Sequence, residues 1–287
     1  MTPLKQAIRD TIVRCIRFFL QLPGKKIYFK VSRIISDALA ETAAEIVSVP
    51  TKAGKIDFYC IGDIPVARAN SLLTKEPETI DWIHTFDLND VFWDIGANVG
   101  NYSLYAAKVM KAQVLAFEPS AANYLLINRS IEINGLGEAI KAYCLALNDV
   151  DMLSAIHMQN TKFGGALTSF DTPVDFKGDE FEAFFKQGMV GLSIDGFVEK
   201  FNPLFPNRIK IDVDGIEDKI IQGGLKTLSD KRVKSVSIEL DDSRPEYTQP
   251  IIDALESCGL KFQAKKHAPI LDGGVFAGIY NFHFFRV

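Results

Sequence analysis

Two glycines and an asparagine in the segment 91–103 have the spacing of a ligand-binding turn between a buried strand and a helix. Gly96 permits a tight turn, and Gly100 permits the helix to pack closely against the strand. In open α/β sheets, ligands bind at such turns, beyond the carboxyl ends of the strands. A dinucleotide fingerprint has a third glycine where this chain has Asn98. The turn therefore predicts a ligand other than NAD.

Two carboxylates accompany the turn and indicate the charge of that ligand. Asp94 ends the strand before the turn, which suits a ligand with positive charge. Glu118 ends the next strand, where an acid commonly binds ribose hydroxyls. An adenosine with a cationic, unphosphorylated tail satisfies both positions, and S-adenosylmethionine is such a ligand. The alternative is that Asp94 only caps a helix and Glu118 is an exposed charge.

A second acidic cluster, Asp212, Asp214 and Glu217, follows a strand that should neighbour the first one. Methyl transfer to a hydroxyl needs removal of the hydroxyl proton, which calls for a base or a metal. Asp212 is the first candidate for the base, and Lys210, which alternates with it along the strand, is a candidate for orienting it. The alternative for Asp214 and Glu217 is a variant capping box at a helix start.

Glu239 and Asp241 lie at the end of the next strand and on one face of it. Glu239 is therefore a further catalytic candidate beside Asp212 and Lys210. With Asp212, the two acids also form a candidate Mg²⁺ site, because Mg²⁺ prefers oxygen ligands.

The elements that position these residues follow a repeating pattern. Short apolar runs (91–93, 114–117, 142–147, 209–211 and 236–238) alternate with helical patterns (102–110, 121–133, 194–201, 216–228 and 245–258). This alternation predicts a parallel sheet that is covered on both faces. At the end of the chain, two strands (260–266 and 280–287) follow each other without a helix, so the last strand should be antiparallel.

Four ordered motifs in this chain resemble the FkbM family of S-adenosylmethionine-dependent methyltransferases. They are DIGANVGNYS at 94–103, FEP at 117–119, ALND at 146–149 and IKIDVDGIE at 209–217. The resemblance covers about residues 75–245, with KEPET at 75–79 upstream; it departs at Asp214, where the family more often has Glu. It implies an α/β, class I methyltransferase, Rossmann-like fold, with a seven-stranded, mostly parallel sheet whose last strand is antiparallel. It also implies O-methylation, often of sugar hydroxyls.

By position in these motifs, the resemblance implies a set of cofactor-binding residues. Asp94, Gly96, Asn98 and Gly100 should line the methionine portion, Glu118 should hold the ribose, and Asn148 and Asp149 should lie near the adenine. Ala97 and Pro119 complete the predicted set. The alternative for Asn148 and Asp149 is an ordinary turn.

Two domains are expected, with the boundary near residue 88. Residues 1–88 are predicted to form an N-terminal extension, with a basic amphipathic helix near 8–20, a second helix near 34–47 and short strands. Residues 89–287 are predicted to form the methyltransferase domain, with an insertion at about 159–191. An aromatic lid hinged at Gly164-Gly165 is one interpretation of the insertion; a packed helix at 179–186 is the other.

Charge is distributed unevenly along the 287 residues. Residues 1–33 carry a net charge of +7 and the remainder −11, for a total of −4, which argues against a nucleic-acid-binding protein. Three partners remain open for the basic helix: its own domain, another subunit in a homo-oligomer, or an anionic membrane surface. The four cysteines form no C-x-x-C pair, and the N-terminal apolar stretch is too short to span a bilayer. A cytoplasmic protein, peripheral to a membrane if the helix binds one, is expected.

These features predict an enzyme that transfers a methyl group from S-adenosylmethionine to a hydroxyl of a saccharide, a glycan or a related small molecule. Two alternatives stay open. One is a non-catalytic cofactor-binding or assembly protein that uses the same fold, and the other is an enzyme with a different adenosine cofactor.

Overall fold

The structure, a computed structural model, describes residues 43–267, 274 and 276–287, and before them only 11, 13–15 and 18. The predicted basic helix near 8–20 lies mostly outside the described residues. Most of the predicted helix near 34–47 also lies outside the described residues. The prediction for its C-terminal end is wrong, because Glu45 begins a strand. Among the described residues, no helix is both long enough and apolar enough to cross a membrane.

A seven-stranded sheet forms the centre of residues 46–287, which pack as one unit. Its strands, in spatial order, are β12 (Leu260–Lys266), β13 (Ile279–Arg286), β11 (Ser235–Asp241), β10 (Arg208–Ile211), β3 (Val91–Ile95), β4 (Gln113–Phe117) and β5 (Ile140–Tyr143). Strand β13 is antiparallel to both of its neighbours, and the other pairs are parallel. This arrangement confirms the predicted sheet with an antiparallel last strand.

Helices cover the two faces of this sheet, as its continuous apolar strands require. They are α1 (Asp63–Asn70), α2 (Pro77–Ile83), α3 (Asn101–Tyr105, continued by a π-helical turn at Ala106–Met110), α4 (Ala121–Ile133), α5 (Ile194–Phe201), α6 (Glu217–Gln222), α7 (Leu225–Ser229) and α8 (Pro245–Ser257). Trp93 and Ile209 belong to one apolar core, while Phe92 belongs to the other. Strand alternation then places Asp94 and Lys210 on the same face as Phe92.

A second sheet of four strands takes two of them from the predicted insertion at about 159–191. Its order is β6 (Ala146–Asn148), β9 (Phe185–Ser193), β7 (Met152–Met158) and β8 (Thr168–Phe170). The predicted strand at 142–147 is thus divided between β5 and β6, which belong to different sheets. The alternative of a helix at 179–186 is wrong, because 180–184 contain no helix and Phe185 begins a strand.

The segment before residue 88 is packed into the same unit as the large sheet. A hairpin of β1 (Glu45–Thr51) and β2 (Gly54–Cys60) precedes α1. Ile56 and Trp82 share the apolar core of Phe92, and the Trp82 and Phe92 ring centroids are 5.8 Å apart. The unit therefore begins near residue 46, well before the predicted domain boundary, because these apolar side chains have no separate core.

Candidate active site

A cavity of about 900 Å³ opens at the carboxyl ends of the central strands. Ile95 and Phe117 from β3 and β4, Asp212 after β10 and Glu239 from β11 contribute to its wall. Its size lies within the range of small-molecule and cofactor pockets. The cavity therefore lies where a parallel α/β sheet is expected to bind a ligand.

The glycine turn after β3 is in contact with the end of β10. Gly96 has a φ of +86°, and a Cβ atom there would lie 1.8 Å from the backbone oxygen of Asp212. Only glycine permits both this conformation and this approach. Gly100 also has a φ of +86°, and a Cβ there would lie 2.6 Å from Ile127 of α4. The sequence predicted that Gly100 lets its own helix pack against the strand. In the structure, Gly100 instead makes room for Ile127 of the helix α4.

Asp94 lies beneath the turn and does not line the cavity. It is 2% exposed, and its carboxylate accepts a hydrogen bond of 2.6 Å from the Ser103 hydroxyl. Burial raises the pKa of Asp94 to about 6, although the nearby Lys210 ammonium lowers it. Asp94 also accepts a hydrogen bond from the backbone N–H of Ser103 in the first turn of α3, so it holds α3 against β3 and caps that helix, as in the alternative. Its contact with a methionine portion stays a prediction.

Glu118 faces the cavity, as predicted. Its two carboxylate oxygens accept hydrogen bonds from the backbone N–H of Asn98 (2.7 Å) and of Ser120 (2.8 Å). It is 5% exposed, which excludes the alternative of an exposed charge, and burial raises its pKa to about 7. Pro119 also lines the cavity, and Ala97 lines a smaller recess beside it.

Asn148 and Asp149 do not reach the cavity. The Asn148 amide is buried and donates to the Met152 sulfur at 3.5 Å, while Asp149 is exposed in the turn after β6. Leu145 and Leu147 line the cavity in their place. The adenine contact of Asn148 and Asp149 stays a prediction, and the turn that was the alternative follows β6.

Five charged side chains form a cluster at the Asp212 end of the cavity: Lys75, Glu76, Lys210, Asp212 and Glu239. The Lys210 ammonium contacts the Asp212 carboxylate and lies 4.0 Å from Glu76, whose other oxygen is 2.8 Å from the Lys75 ammonium. Burial alone would raise the pKa of Glu76, but Lys210 and Lys75 lower it to about 2. Burial, Asp212 and Glu76 together raise the pKa of Glu239 well above its ordinary value. The cluster thus combines a carboxyl that holds its proton more strongly than usual with two ion-paired carboxylates.

The predicted metal trio is corrected in one member. Glu76, Asp212 and Glu239 each bring one oxygen within 4.8 Å of the others, whereas Asp241 hydrogen-bonds Ser243. The ammonium groups of two lysines already offset the charge of this trio. Each ammonium competes with a cation for these oxygens, so the donor set does not fit Mg²⁺.

Asp214 and Glu217 have roles other than a capping box. The N-terminal position of α6 is Ile216, and no side chain caps it. The Asp214 carboxylate accepts from the Thr168 N–H at 2.9 Å, and Glu217 accepts from the Tyr247 hydroxyl at 2.6 Å. Burial raises the pKa of Asp214 to about 6 and that of Glu217 to about 8. Asp214 lines the cavity and fixes one end of the loop discussed next.

The loop of residues 160–168, here called the strap, forms one wall of the cavity. The Gly164 N–H donates to the Asn123 Oδ1 at 2.8 Å, and the Gly165 oxygen accepts from the Asn98 amide at 3.0 Å and from the Asn123 amide at 3.1 Å. The two glycines, which were predicted as a hinge, are thus the most firmly bound part of the strap.

A comparison with protein families gives the family of this chain. A family model described as the methyltransferase FkbM domain matches residues 94–262, which is more than half of the chain. The chain belongs to the FkbM methyltransferase family. The match confirms the resemblance seen in the four motifs, and the sheet confirms the class I methyltransferase fold.

Three similar proteins share low sequence identity with this chain. Methyltransferase sdnD of Sordaria araneosa is 24% identical over 198 residues, which cover 60% of this chain and 74% of that protein. Precorrin-6y C5,15-methyltransferase of Geobacter metallireducens is 14% identical, with 76% of this chain and 93% of that chain covered and a TM-score of 0.44. TYW2 of P. horikoshii, solved in complex with MeSAdo, is 12% identical, with 85% and 72% covered and a TM-score of 0.45.

Part of the FkbM site lies before the segment that the family model matches. Arg68, Ser71 and Lys75 line the cavity from α1 and the turn after it, and Glu76 lines the recess. Sequence reasoning assigned this segment to an extension without chemistry. The only signal was the KEPET motif at 75–79, which resembles the family but carries no stated role.

Proposed function

We propose that this FkbM protein is an S-adenosylmethionine-dependent O-methyltransferase that acts on a hydroxyl of a saccharide, a glycan or a related small molecule. One observation carries the proposal. A single cavity contains Glu118 at one end and the Asp212–Glu239 pair at the other, with the glycine turn between them. The arrangement separates a place for holding a nucleoside from a place for removing a proton.

The residues of the cavity fit this cofactor. The Glu118 carboxylate faces the cavity and suits ribose hydroxyls, which donate hydrogen bonds. Phe117, Leu145 and Leu147 provide an apolar wall beside it that suits an adenine ring. The Asn98 Oδ1 is buried and has no hydrogen-bond partner among the described residues, which leaves it an unused hydrogen-bond acceptor.

The proposed chemistry rests on the position of Asp212. When bound, S-adenosylmethionine supplies an electrophilic methyl group. Asp212 is the general base that takes the acceptor proton, because its side chain is 30% exposed at the cavity and is oriented by the Lys210 ammonium. Glu239, whose pKa is raised beside it, can accept a hydrogen bond from an acceptor hydroxyl and donates one when it is protonated. The cavity contributes most by holding that oxygen about 3 Å from the methyl group.

The test separates binding from chemistry. Isothermal titration of the full chain with S-adenosylhomocysteine should show saturable binding, and radiolabelled S-adenosylmethionine should transfer label to members of a panel of sugars and glycolipid precursors. Asp212→Asn should bind S-adenosylhomocysteine within about twofold of the wild type and lose at least about 100-fold in turnover, the scale of general base catalysis.

Two results would contradict the proposal. Failure of the folded wild-type protein to bind S-adenosylhomocysteine would remove the cofactor assignment. A loss of cofactor binding in Asp212→Asn as large as its loss of turnover would remove the assignment of Asp212 as the base. Asp241→Asn is the matched control, since Asp241 belongs to neither the cavity wall nor the charged cluster.

A further inference from the structure

Three buried polar side chains lie side by side under α2, on the face of the large sheet that also carries Lys210 and Glu239. They are Ser237 of β11 and Asn281 and His283 of β13, here called the polar seam, and none is more than 4% exposed. The strand register places Ser237 opposite His283 and Glu239 opposite Asn281. Directly opposite side chains on one face have Cβ atoms about 4.5 to 5.5 Å apart, so these groups are within reach of each other.

Two side chains of α2 cover the polar seam. The Asn281 amide nitrogen donates a hydrogen bond of 3.2 Å to the Glu78 carboxylate, and the Trp82 ring stacks on the His283 ring with the centroids 6.2 Å apart. Glu78 and Trp82 are both buried. Because a carboxylate accepts hydrogen bonds, Glu78 fixes the Asn281 amide with its nitrogen toward α2 and leaves the amide oxygen for another partner.

The polar seam contains four hydrogen-bonding atoms that are buried and, among the described residues, have no partner: Ser237 Oγ, Asn281 Oδ1, and His283 Nδ1 and Nε2. Burial, Lys266 and Lys210 lower the pKa of His283 to about 4, so at pH 7 its neutral ring offers one donor and one acceptor. Native proteins pair the large majority of buried polar atoms, either with protein groups or with ordered water. A buried water both donates and accepts, with about three hydrogen bonds in all, so these atoms suit water as a ligand.

Glu239 connects the polar seam to the cavity, because it lines the cavity and lies opposite Asn281. Burial, Asp212 and Glu76 raise the pKa of Glu239, so its carboxyl holds a proton more strongly than usual. A protonated carboxyl needs an acceptor for its O–H, and the Asn281 Oδ1 is an unused acceptor on the neighbouring strand. Other groups that interact electrostatically with Glu239 are Lys75, Lys210 and Tyr102.

We propose that the polar seam binds ordered water that connects Glu239 to His283, and that Asn281 is a positioning residue for the Glu239 carboxyl. Asn281 holds the carboxyl O–H toward the seam, on its own Oδ1 or on the bound water. The other carboxyl oxygen of Glu239 is thereby left for an acceptor hydroxyl in the cavity. The water site is independent of the proposed function, whereas the positioning role rests on it.

A crystal structure of the full chain tests the water site. We expect density for at least one water molecule within hydrogen-bond distance of two or more of the four seam atoms. Urea unfolding of Ser237→Ala gives a second measurement. In a hydrated seam this change removes a partner of the bound water, so the urea midpoint should fall; in a dry seam it removes an unpaired hydroxyl, and the midpoint should rise. A raised midpoint, or a seam without water density, would overturn the water site.

Infrared spectroscopy tests the positioning role. At pH 4.5, the ordinary pKa of a glutamate, the difference spectrum between the wild type and Glu239→Gln should isolate a carbonyl band of the protonated Glu239 carboxyl. Asn281→Leu, measured against its own double variant with Glu239→Gln, should shift this band, because it removes the acceptor and keeps a side chain of similar size. Asn207→Leu is the matched control. Asn207 accepts from the Val91 N–H at the start of β3, so its loss should lower stability and leave the band unchanged.

Turnover completes the test. With the acceptor of the panel that takes up most label, Asn281→Leu should lower kcat about 10-fold, the cost of a misplaced group, and keep the affinity for S-adenosylhomocysteine within about twofold of the wild type. An unchanged Glu239 band, or a loss of that affinity as large as the loss of kcat, would overturn the positioning role. Absence of label on every acceptor, with the water density and the band shift as expected, would instead overturn the proposed function and leave the water site in place.

Discussion

Two buried glutamates, Glu118 at one end of the cavity and Glu76 in the recess beside the other end, have similar exposure and opposite pKa shifts. Glu118 is 5% exposed and Glu76 is 2% exposed. At the first end, backbone N–H groups are the main partners of the carboxylate and its pKa is raised to about 7 by burial. At the second end, Lys210 and Lys75 lower the pKa of Glu76 to about 2 in spite of burial.

The difference shows that the partner, and not the depth of burial, determines the state of an acid in this protein. Backbone N–H groups satisfy hydrogen bonds but leave most of the desolvation penalty, whereas a full positive charge at short distance offsets it. An end that must bind neutral hydroxyls needs acceptors only. An end that must accept a proton needs a carboxylate, and Asp212 lies there in an ion pair with Lys210, while Lys210 and Lys75 keep Glu76 ionised.

Lys210→Met should have the largest effect, because it removes the cation shared by Glu76 and Asp212. Lys210 is 1% exposed, and its loss leaves a buried carboxylate without its main countercharge. Breaking one partner of a buried ion pair destabilises proteins by about 3 to 5 kcal/mol. Urea unfolding should show a loss of that order in the free energy of unfolding, with turnover abolished.

Lys75→Met is the matched control for this variant, since Lys75 also contacts Glu76 but is 39% exposed. Solvent screens its pairing, so we expect a loss in the free energy of unfolding of about 1 kcal/mol or less. The double variant Lys210→Met/Glu76→Gln should recover part of the stability. Equal losses in the free energy of unfolding for the two lysine variants would contradict the comparison, because the Glu76 end would then not depend on a buried countercharge.

The pH dependence of stability should have opposite signs at the two ends. The pKa of Glu118 in the folded protein, about 7, lies above its ordinary value of 4.5, so the folded state binds the extra proton between these values. Its contribution to the free energy of unfolding is therefore lost as pH rises from 4.5 to 7. The pKa of Glu76 is lowered to about 2, so its contribution is present above 4.5 and is lost as pH falls below it.

Urea unfolding of two variants measures both signs. Relative to Glu118→Gln, the wild-type protein should lose on the order of 1 to 3 kcal/mol as the pH rises from 5 to 8. Relative to Glu76→Gln, it should lose stability as the pH falls from 5 to 3. Identical pH profiles of wild type and Glu118→Gln would show that backbone N–H groups alone keep Glu118 ionised.

The sequence predicted the sheet and the cavity better than it predicted the contacts around them. Strand alternation and the four motifs led to the correct β3, β4 and β10 and to Glu118 at the cavity wall, because these depend on short-range patterns. Asp94 lies beneath the turn and not at the cavity wall, and the spacing in the sequence is the same for both positions. Only packing separates them.

Long-range partners were predicted least well, since only the KEPET motif at 75–79 pointed to their segment. Arg68 and Lys75 reach the cavity from a segment that precedes the first central strand, and the contact between Trp82 and Phe92 that holds this segment joins distant parts of the core. Neither Arg68 nor Lys75 stands at a spacing from Asp212 that a motif specifies. Such contacts follow from how the helices cover the sheet, which the periodicity of one segment does not specify.

Asp214→Ala should have the smallest effect and sharpens the comparison between the two ends, because Asp214 holds the strap that covers both. The variant removes the hydrogen bond to the Thr168 N–H and leaves the Gly164–Gly165 contacts in place. A single such bond is worth about 0.5 to 1.5 kcal/mol, so S-adenosylhomocysteine binding should weaken about 2- to 10-fold. Limited proteolysis within 160–168 should be faster, while the free energy of unfolding changes little.

Asp214→Asn keeps an acceptor oxygen and should retain nearly wild-type binding and proteolysis. If Asn and Ala weakened binding equally, the negative charge of Asp214 would matter rather than its tether to the strap, and the strap would be held at its glycines alone.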